Sequence, residues 1–386
     1  MWKTIKMFWS NKTSLSVGFV FFTINVLFGG WIARIPEVKA DLDMSEAELG
    51  LALLGLPVGS LAGAFYASWQ LRRQPLGKFT FYMTVGLCVA IILPALAAFP
   101  LILSVALISI GFLSSATDVG MNAAAAQVEK KYNILIMSAC HGMFSLGGVV
   151  GAILGGITAS LGIPLWLYLG ILGLVMLVLN TLLSPVLFTV PNPEQQDQGF
   201  SLPPRALWGL ALIGFCVMLG EGAVADWSAI FLREIRHSSP FLAAMGFAAF
   251  SFFMALGRFV GDALTVRFGH RMLTVLGSLL GSVGLLMAIS IPGSWSGILG
   301  FALTGLGFSV VVPLLFGQAA RLQPDAPGDS IAGIASSGIF GFMIGPPAIG
   351  FIAEAYGLSI GLLTAALLGI LATVVAILNR PGVLTT

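Results

Sequence analysis

The chain has 386 residues, of which 58% are hydrophobic and only 9% charged, with a formal net charge of +2. A soluble domain carries about 25% charged residues, so a mostly water-facing exterior is excluded and the polar deficit points to lipid contact. The 48 glycines follow no collagen period, abundant Leu, Ile, Val and Phe exclude disorder, and scattered basic residues leave no nucleic-acid footprint.

Lys3, Lys6 and Lys12 precede an apolar stretch from Leu15 to Ile35. Its length, the lack of a small-residue cleavage site and the many later spans favour a retained first helix over a signal peptide. The first half then predicts spans at 14–35, 48–70, 79–98, 101–127, 134–161 and 164–188. Each is long enough to cross about 30 Å of hydrocarbon at about 1.5 Å per residue. Ser45 and Glu48 have the spacing of a capping box that opens the second span. Cys88, Cys140 and Cys216 lie in apolar runs and read as small buried hydrophobes.

The segment from Pro191 to Pro204 (PNPEQQDQ, then LPP) is the longest polar, proline-bearing break, and makes residues 191–204 a linker between halves 1–190 and 205–386. The second half predicts spans at 206–232, 240–266, 271–291, 295–321, 329–356 and 358–379. With the N-terminus inside, the inner loops carry 13 basic residues and the outer loops only Arg34, Lys39, Arg233 and Arg236. This positive-inside bias predicts cytoplasmic N and C termini. Pro346-Pro347 is expected to kink the eleventh span, and Pro313 to shape the tenth.

The halves echo each other at an offset near 196 residues. Asn25 and Trp31 are matched by Glu221 and Trp227, Gly111-Phe112 by Gly307-Phe308, and Met121-Asn122 by Gly317-Gln318. Gly59 and Gly63 match Gly257 and Gly261 at an offset of 198. The common order indicates duplicated six-helix domains, an arrangement suited to alternating access.

Ionisable groups within spans are costly unless paired, protonated or hydrated. Glu221, near mid-depth of span 7, reads as a proton-coupling carboxylate or a structural hydrogen-bonding group. Asn25 reads as a solute ligand or an interhelical bond, and Trp31 and Trp227 as stacking surfaces for a sugar or as core and interface aromatics. Asp118 and Asn122 share a face of span 4. Asp118 with His141 forms either a proton relay or a buried hydrogen-bond network. Asp226 sits further out on span 7, Gln318 is placed opposite Asn122 by the repeat, and Arg34 is expected to snorkel outward. Arg258 and Asp262, four apart in span 8, are spaced for an ion pair. Three histidines without a ligand cluster give no metal centre, and no phosphate-binding loop or dinucleotide motif predicts a cofactor. No nucleophile–base array marks an enzyme.

These features resemble the major facilitator superfamily over nearly the whole chain. The most specific sign is GRFVGDALTVRFGHR, Gly257 to Arg271. The resemblance implies an all-α membrane protein with a twelve-helix major facilitator fold, two six-helix bundles with pseudo-twofold symmetry. It also assigns Gly257, Arg258, Gly261, Asp262, Arg267, Gly269 and Arg271 to a conformational latch. The first-half equivalent keeps Gly63, Arg72 and Arg73 but has Ala64 in place of the acid, so a one-sided latch is expected. WIARIPEVKADLDMSEAELG, EGAVADWSAIFL, TDVGMNAAAAQVEK and SACHGMFSLGG are similar to the bacterial inner-membrane YbjJ-like transporters and, more distantly, to fucose-permease-like sugar transporters. That similarity implies a secondary active transporter in the bacterial inner membrane. It would move a small polar solute, a sugar or another, by proton symport, as a functional monomer contacting membrane lipids. Proton-coupled export of small organic compounds and a non-transporting membrane receptor are the alternatives.

Overall fold

The computed structural model describes residues 8–192, 203–323 and 327–379. Most of the 191–204 linker, Lys3, Lys6, Arg380 and the side chain of Asp262 lie outside the described residues. Among the described residues, twelve helices are long and apolar enough to cross a membrane. They are α1 (Lys12–Ile32), α2 (Glu46–Gln70), α3 (Leu76–Leu96), α4 (Pro100–Tyr132), α5 (Met137–Ser160), α6 (Leu165–Leu187), α7 (Arg205–Ile235), α8 (Pro240–Phe268), α9 (His270–Ser290), α10 (Ser294–Leu322), α11 (Pro327–Tyr356) and α12 (Leu358–Leu378). The predicted spans match these within a few residues, except that α4 runs further at its C-terminal end.

Local chemistry sets many of the ends. Asn11 caps α1, its Oδ1 accepting from the N–H groups of Thr13 (2.9 Å) and Ser14 (3.1 Å). The Ser45–Glu48 capping box forms as its spacing predicts: Glu48 Oε2 accepts from Ser45 N at 3.0 Å, and Ser45 Oγ from Glu48 N at 3.2 Å. Glu129 at the end of α4 caps α5, its Oε1 accepting from Ile136 N (2.6 Å) and Met137 N (2.8 Å). Gly269 and Gly357 precede α9 and α12 with φ of 77° and 90°, which allows the tight connections there. Pro346 and Pro347 lie inside α11, which stays helical through both of them. The break falls instead in α10, between Phe308 and Val311, and Pro313 sits in the first turn after it, where its missing N–H leaves no helical bond unmade.

The helices group into two compact units. One holds α1, α2 from Leu51 onward and α3–α6, together with Ser239–Ala244; the other holds Ser45–Gly50, α7, α8 from Met245 and α9–α12. The same pairs recur in both. In the first unit α1 packs on α5, α3 on α6 and α1 on α6. In the second α7 packs on α11, α9 on α12 and α7 on α12. This is the repeated pairing of two six-helix bundles with pseudo-twofold symmetry.

Small residues make the packing close. Gly55, Gly59 and Gly63 of α2 lie against the carbonyls of Ser104, Ile108 and Phe112 of α4, and Gly111 lies against that of Leu56. A methyl group on any of them would run into main chain. In the second unit Gly257 and Gly261 of α8 meet Ser309 and Val310 of α10, and Gly305 meets the main chain of Phe250.

Candidate functional site

In the first unit α1 supplies two buried polar groups that bond to neighbouring helices. Asn25 is 4% exposed and its amide donates to the carbonyl of Phe144 on α5 at 2.9 Å, while its Oδ1 has no partner among the described residues. Thr23, two residues before Asn25 and facing α6, accepts at 2.8 Å from Asn180, whose amide also donates to Met176 O at 2.8 Å. On α4, Asn122 Nδ2 donates to Asp118 O (2.9 Å) and Asp118 Oδ1 (3.2 Å), so the i, i+4 spacing does bring the two together, with Asp118 on an exposed face. The His141 ring stands edge-on to Phe21 of α1, centroids 5.2 Å apart.

Arg34 differs from its expectation. It does not snorkel: its side chain is 1% exposed. Nε and one terminal nitrogen hold Glu37 at 2.5 and 2.8 Å, and the guanidinium also donates to Thr158 Oγ1 (3.1 Å) and Ile163 O (2.8 Å). Tyr168 lies 5.5 Å from it and donates its hydroxyl to Gly151 O at 3.1 Å. A planar five-donor fork finds enough acceptors here to stay buried. In the short helix Ile35–Asp41 that follows, burial first, and then the Glu37 charge, push the Asp41 carboxyl above its ordinary range against the pull of Arg34.

In the second unit, Glu221 lies among buried apolar positions of α7, half-buried itself and with no hydrogen-bond partner among the described residues. Arg258 of α8 stands within electrostatic reach of it. Five residues on, Asp226 is 8% exposed and also lacks a hydrogen bond among the described residues. Next to it, Trp227 Nε1 and Ser228 Oγ are buried donors without partners there. Trp31 of α1 repeats the condition in the first unit: it is fully enclosed, as Trp227 is, and its Nε1 is unpartnered. Both indoles therefore belong to the packed interior, and the 196-residue repeat extends to their missing bonds. Unpaired buried polar groups are costly, which sets these indole and hydroxyl groups apart from the apolar packing around them. Gln318 lines a small interior gap with Arg271, Thr274 and Asn379.

Of the expected latch, Gly257 and Gly261 form the close α8–α10 contact, and Gly269 makes the turn into α9. Arg267 lies over the Phe268 ring at 5.3 Å. Arg271 donates from Nε to Ala376 O (3.3 Å) and from a terminal nitrogen to Ile377 O, clasping the end of α12. The Arg258–Asp262 pairing falls on a side chain outside those described.

Sequence reasoning passed over Glu37, Asn180 and Ser228. Glu37 three residues after Arg34 was a visible charge pair, and Asn180 a visible polar residue within an apolar run. Ser228 carried no distinguishing signal.

Comparison with known proteins decides the family. The family model described as Major Facilitator Superfamily matches residues 13–217 and 210–384, once over each half. The chain belongs to the Major Facilitator Superfamily. An uncharacterized MFS-type transporter of Yersinia pestis is 35% identical over 362 residues, covering 92% of each chain. The membrane protein MosC of Rhizobium meliloti is 29% identical over 93% of this chain and 88% of its own. Among solved structures, a bacterial homolog to the human lysosomal transporter Spinster superposes with TM-score 0.78 at 15% identity, over 94% of this chain and 95% of its own. The nucleoside transporter NupG does so with TM-score 0.76 at 13% identity, over 95% and 98%. At these identities the structures share the fold. As a superfamily member the chain is a multi-pass inner-membrane secondary transporter moving a small solute, and not an enzyme.

Proposed function

We propose that the protein is a proton-coupled symporter for a small polar solute, with a sugar the first class to test, and that Glu221 is its coupling carboxylate. Residues 1–190 and 205–386 are its two halves in this reading, both termini are cytoplasmic, and a monomer is the working unit. The observation that carries the reading is Glu221 itself: a carboxylate in the middle of α7, without a hydrogen bond among the described residues and with Arg258 in electrostatic reach. Protonation would neutralise it; deprotonation would leave a charge for Arg258 or water to balance. A change of state that depends on this charge couples proton movement to solute movement. Asn25, Asp118, Asn122, His141, Asp226 and Gln318 supply the polar contacts in this reading, and Trp31 and Trp227 carry the unpartnered indole donors that a hydroxylated solute can complete in another state of the cycle. The likeness to YbjJ-like and fucose-permease-like transporters supports the sugar class and the latch of Gly257, Arg258, Gly261, Asp262, Arg267, Gly269 and Arg271.

The test is a panel of labelled sugars and other small polar solutes in proteoliposomes with an imposed pH gradient. The wild type should accumulate one solute class in response to the gradient. Glu221→Gln should lose that accumulation and keep solute exchange. Full gradient-driven accumulation by the variant at normal stoichiometry would reject the assignment of Glu221.

A further inference from the structure

The second unit carries a cleft of about 470 Å³ where α9 meets the end of α12, lined by Phe268, His270, Arg271, Met272, Val275 and Ile377. Its volume is in the range of small-molecule sites, about 300–1,000 Å³. Its charge is one-sided. Arg271 is held by the carbonyls of Ala376 and Ile377, which fix the guanidinium without neutralising it. Arg267 lies over Phe268 at the rim, and Arg321 stands within electrostatic reach of His270. No carboxylate lines the cleft among the described residues.

Two apolar tracks lead away from it. On α9, Met272, Leu276, Leu279 and Val283 are exposed at i, i+4, i+7 and i+11; on α12, Leu378, Val374, Leu371 and Leu367 are exposed at the same spacing in the opposite direction. The two helices pack side by side, and Met272 and Ile377 bring both to the cleft wall. Eleven residues of helix cover about 16 Å, close to the roughly 15 Å depth of one leaflet's hydrocarbon. A free anion would use the basic end alone. An anionic phospholipid uses both.

We infer that this cleft binds the headgroup phosphate of an anionic phospholipid, with its two acyl chains lying along α9 and α12. The inference rests on these helices crossing a membrane and not on the solute or coupling proposed above. Because Arg271 clasps α12 and belongs to the α8–α9 latch segment, a lipid seated there would tie the end of α12 to that segment.

The test is native mass spectrometry of the full chain in detergent, with phosphatidylglycerol and phosphatidylcholine of identical acyl chains offered in equal amounts. A basic residue near a membrane surface favours an anionic lipid about fivefold. The wild type should retain phosphatidylglycerol by at least that ratio. His270→Gln combined with Arg271→Gln should bring the ratio near one, and Arg73→Gln, a basic charge in the other unit, should keep it. If the Arg271 change prevents purification, His270→Gln with Arg267→Gln should lower the ratio below the wild-type value, Arg271 being left in place, and an unchanged ratio counts against the inference. Absence of preference in the wild type, or preference surviving the double variant, would overturn the inference. Equal displacement of the lipid by inorganic phosphate would also overturn it, identifying a free-anion site.

Discussion

Arg34 holds Glu37 by both carboxylate oxygens, at 2.5 and 2.8 Å, from a side chain that is 1% exposed. The pair joins the end of α1 to the last turn of α5 and the loop after it, because the same guanidinium reaches Thr158 and Ile163 O. Arg34→Ala is expected to lower stability by about 3 kcal/mol, the lower end for breaking a buried pair because Glu37 is partly exposed. Arg34→Lys should recover only part, lacking the planar fork. Thermal unfolding of the purified protein in detergent checks both.

Gly111 of α4 lies against the Leu56 carbonyl with no room for a methyl group. Gly111→Ala should destabilise by about 1–3 kcal/mol through overpacking. Gly328, which has open space around it, serves as control: its alanine variant should melt at the wild-type temperature or slightly above.

Asn180 links α6 to Thr23 of α1 in a fully buried setting. Asn180→Ala should cost about 1–3 kcal/mol, a lost buried hydrogen bond with its acceptor left behind. A melting temperature equal to wild type would show that the two helices are held by apolar packing alone.

Asp41 offers a pH test. Its folded-state pKa is raised above the ordinary 3.8, so the folded protein binds this proton more tightly than the unfolded chain. The penalty is absent below about 3.8, grows as pH rises through the raised value, and is constant above it. Asp41→Asn should therefore melt above wild type at pH 7, with the gap closing as pH is lowered toward 3.8. A gap that widens on acidification would contradict the direction of the shift.

The spans were legible because continuous apolar runs of about twenty residues have few other uses, and the Ser45–Glu48 cap because both partners lie within one turn. The repeat was legible through residues such as Trp31 and Trp227. What escaped the sequence is long-range pairing. Arg34 looked free to reach outward because Thr158 and Ile163 lie more than a hundred residues away in the chain. Asn25 gave no sign that its acceptor is the Phe144 carbonyl, since every residue carries one. Polar residues announce themselves in an apolar sequence; their backbone partners do not.

The α2–α4 seam has one more implication. With Gly55, Gly59 and Gly63 set directly on the carbonyls of Ser104, Ile108 and Phe112, main chain meets main chain at three successive turns, and little side chain stands there to absorb a sideways load. A displacement of α2 at these turns presses directly on the α4 main chain, so the two helices are tied to move as a pair.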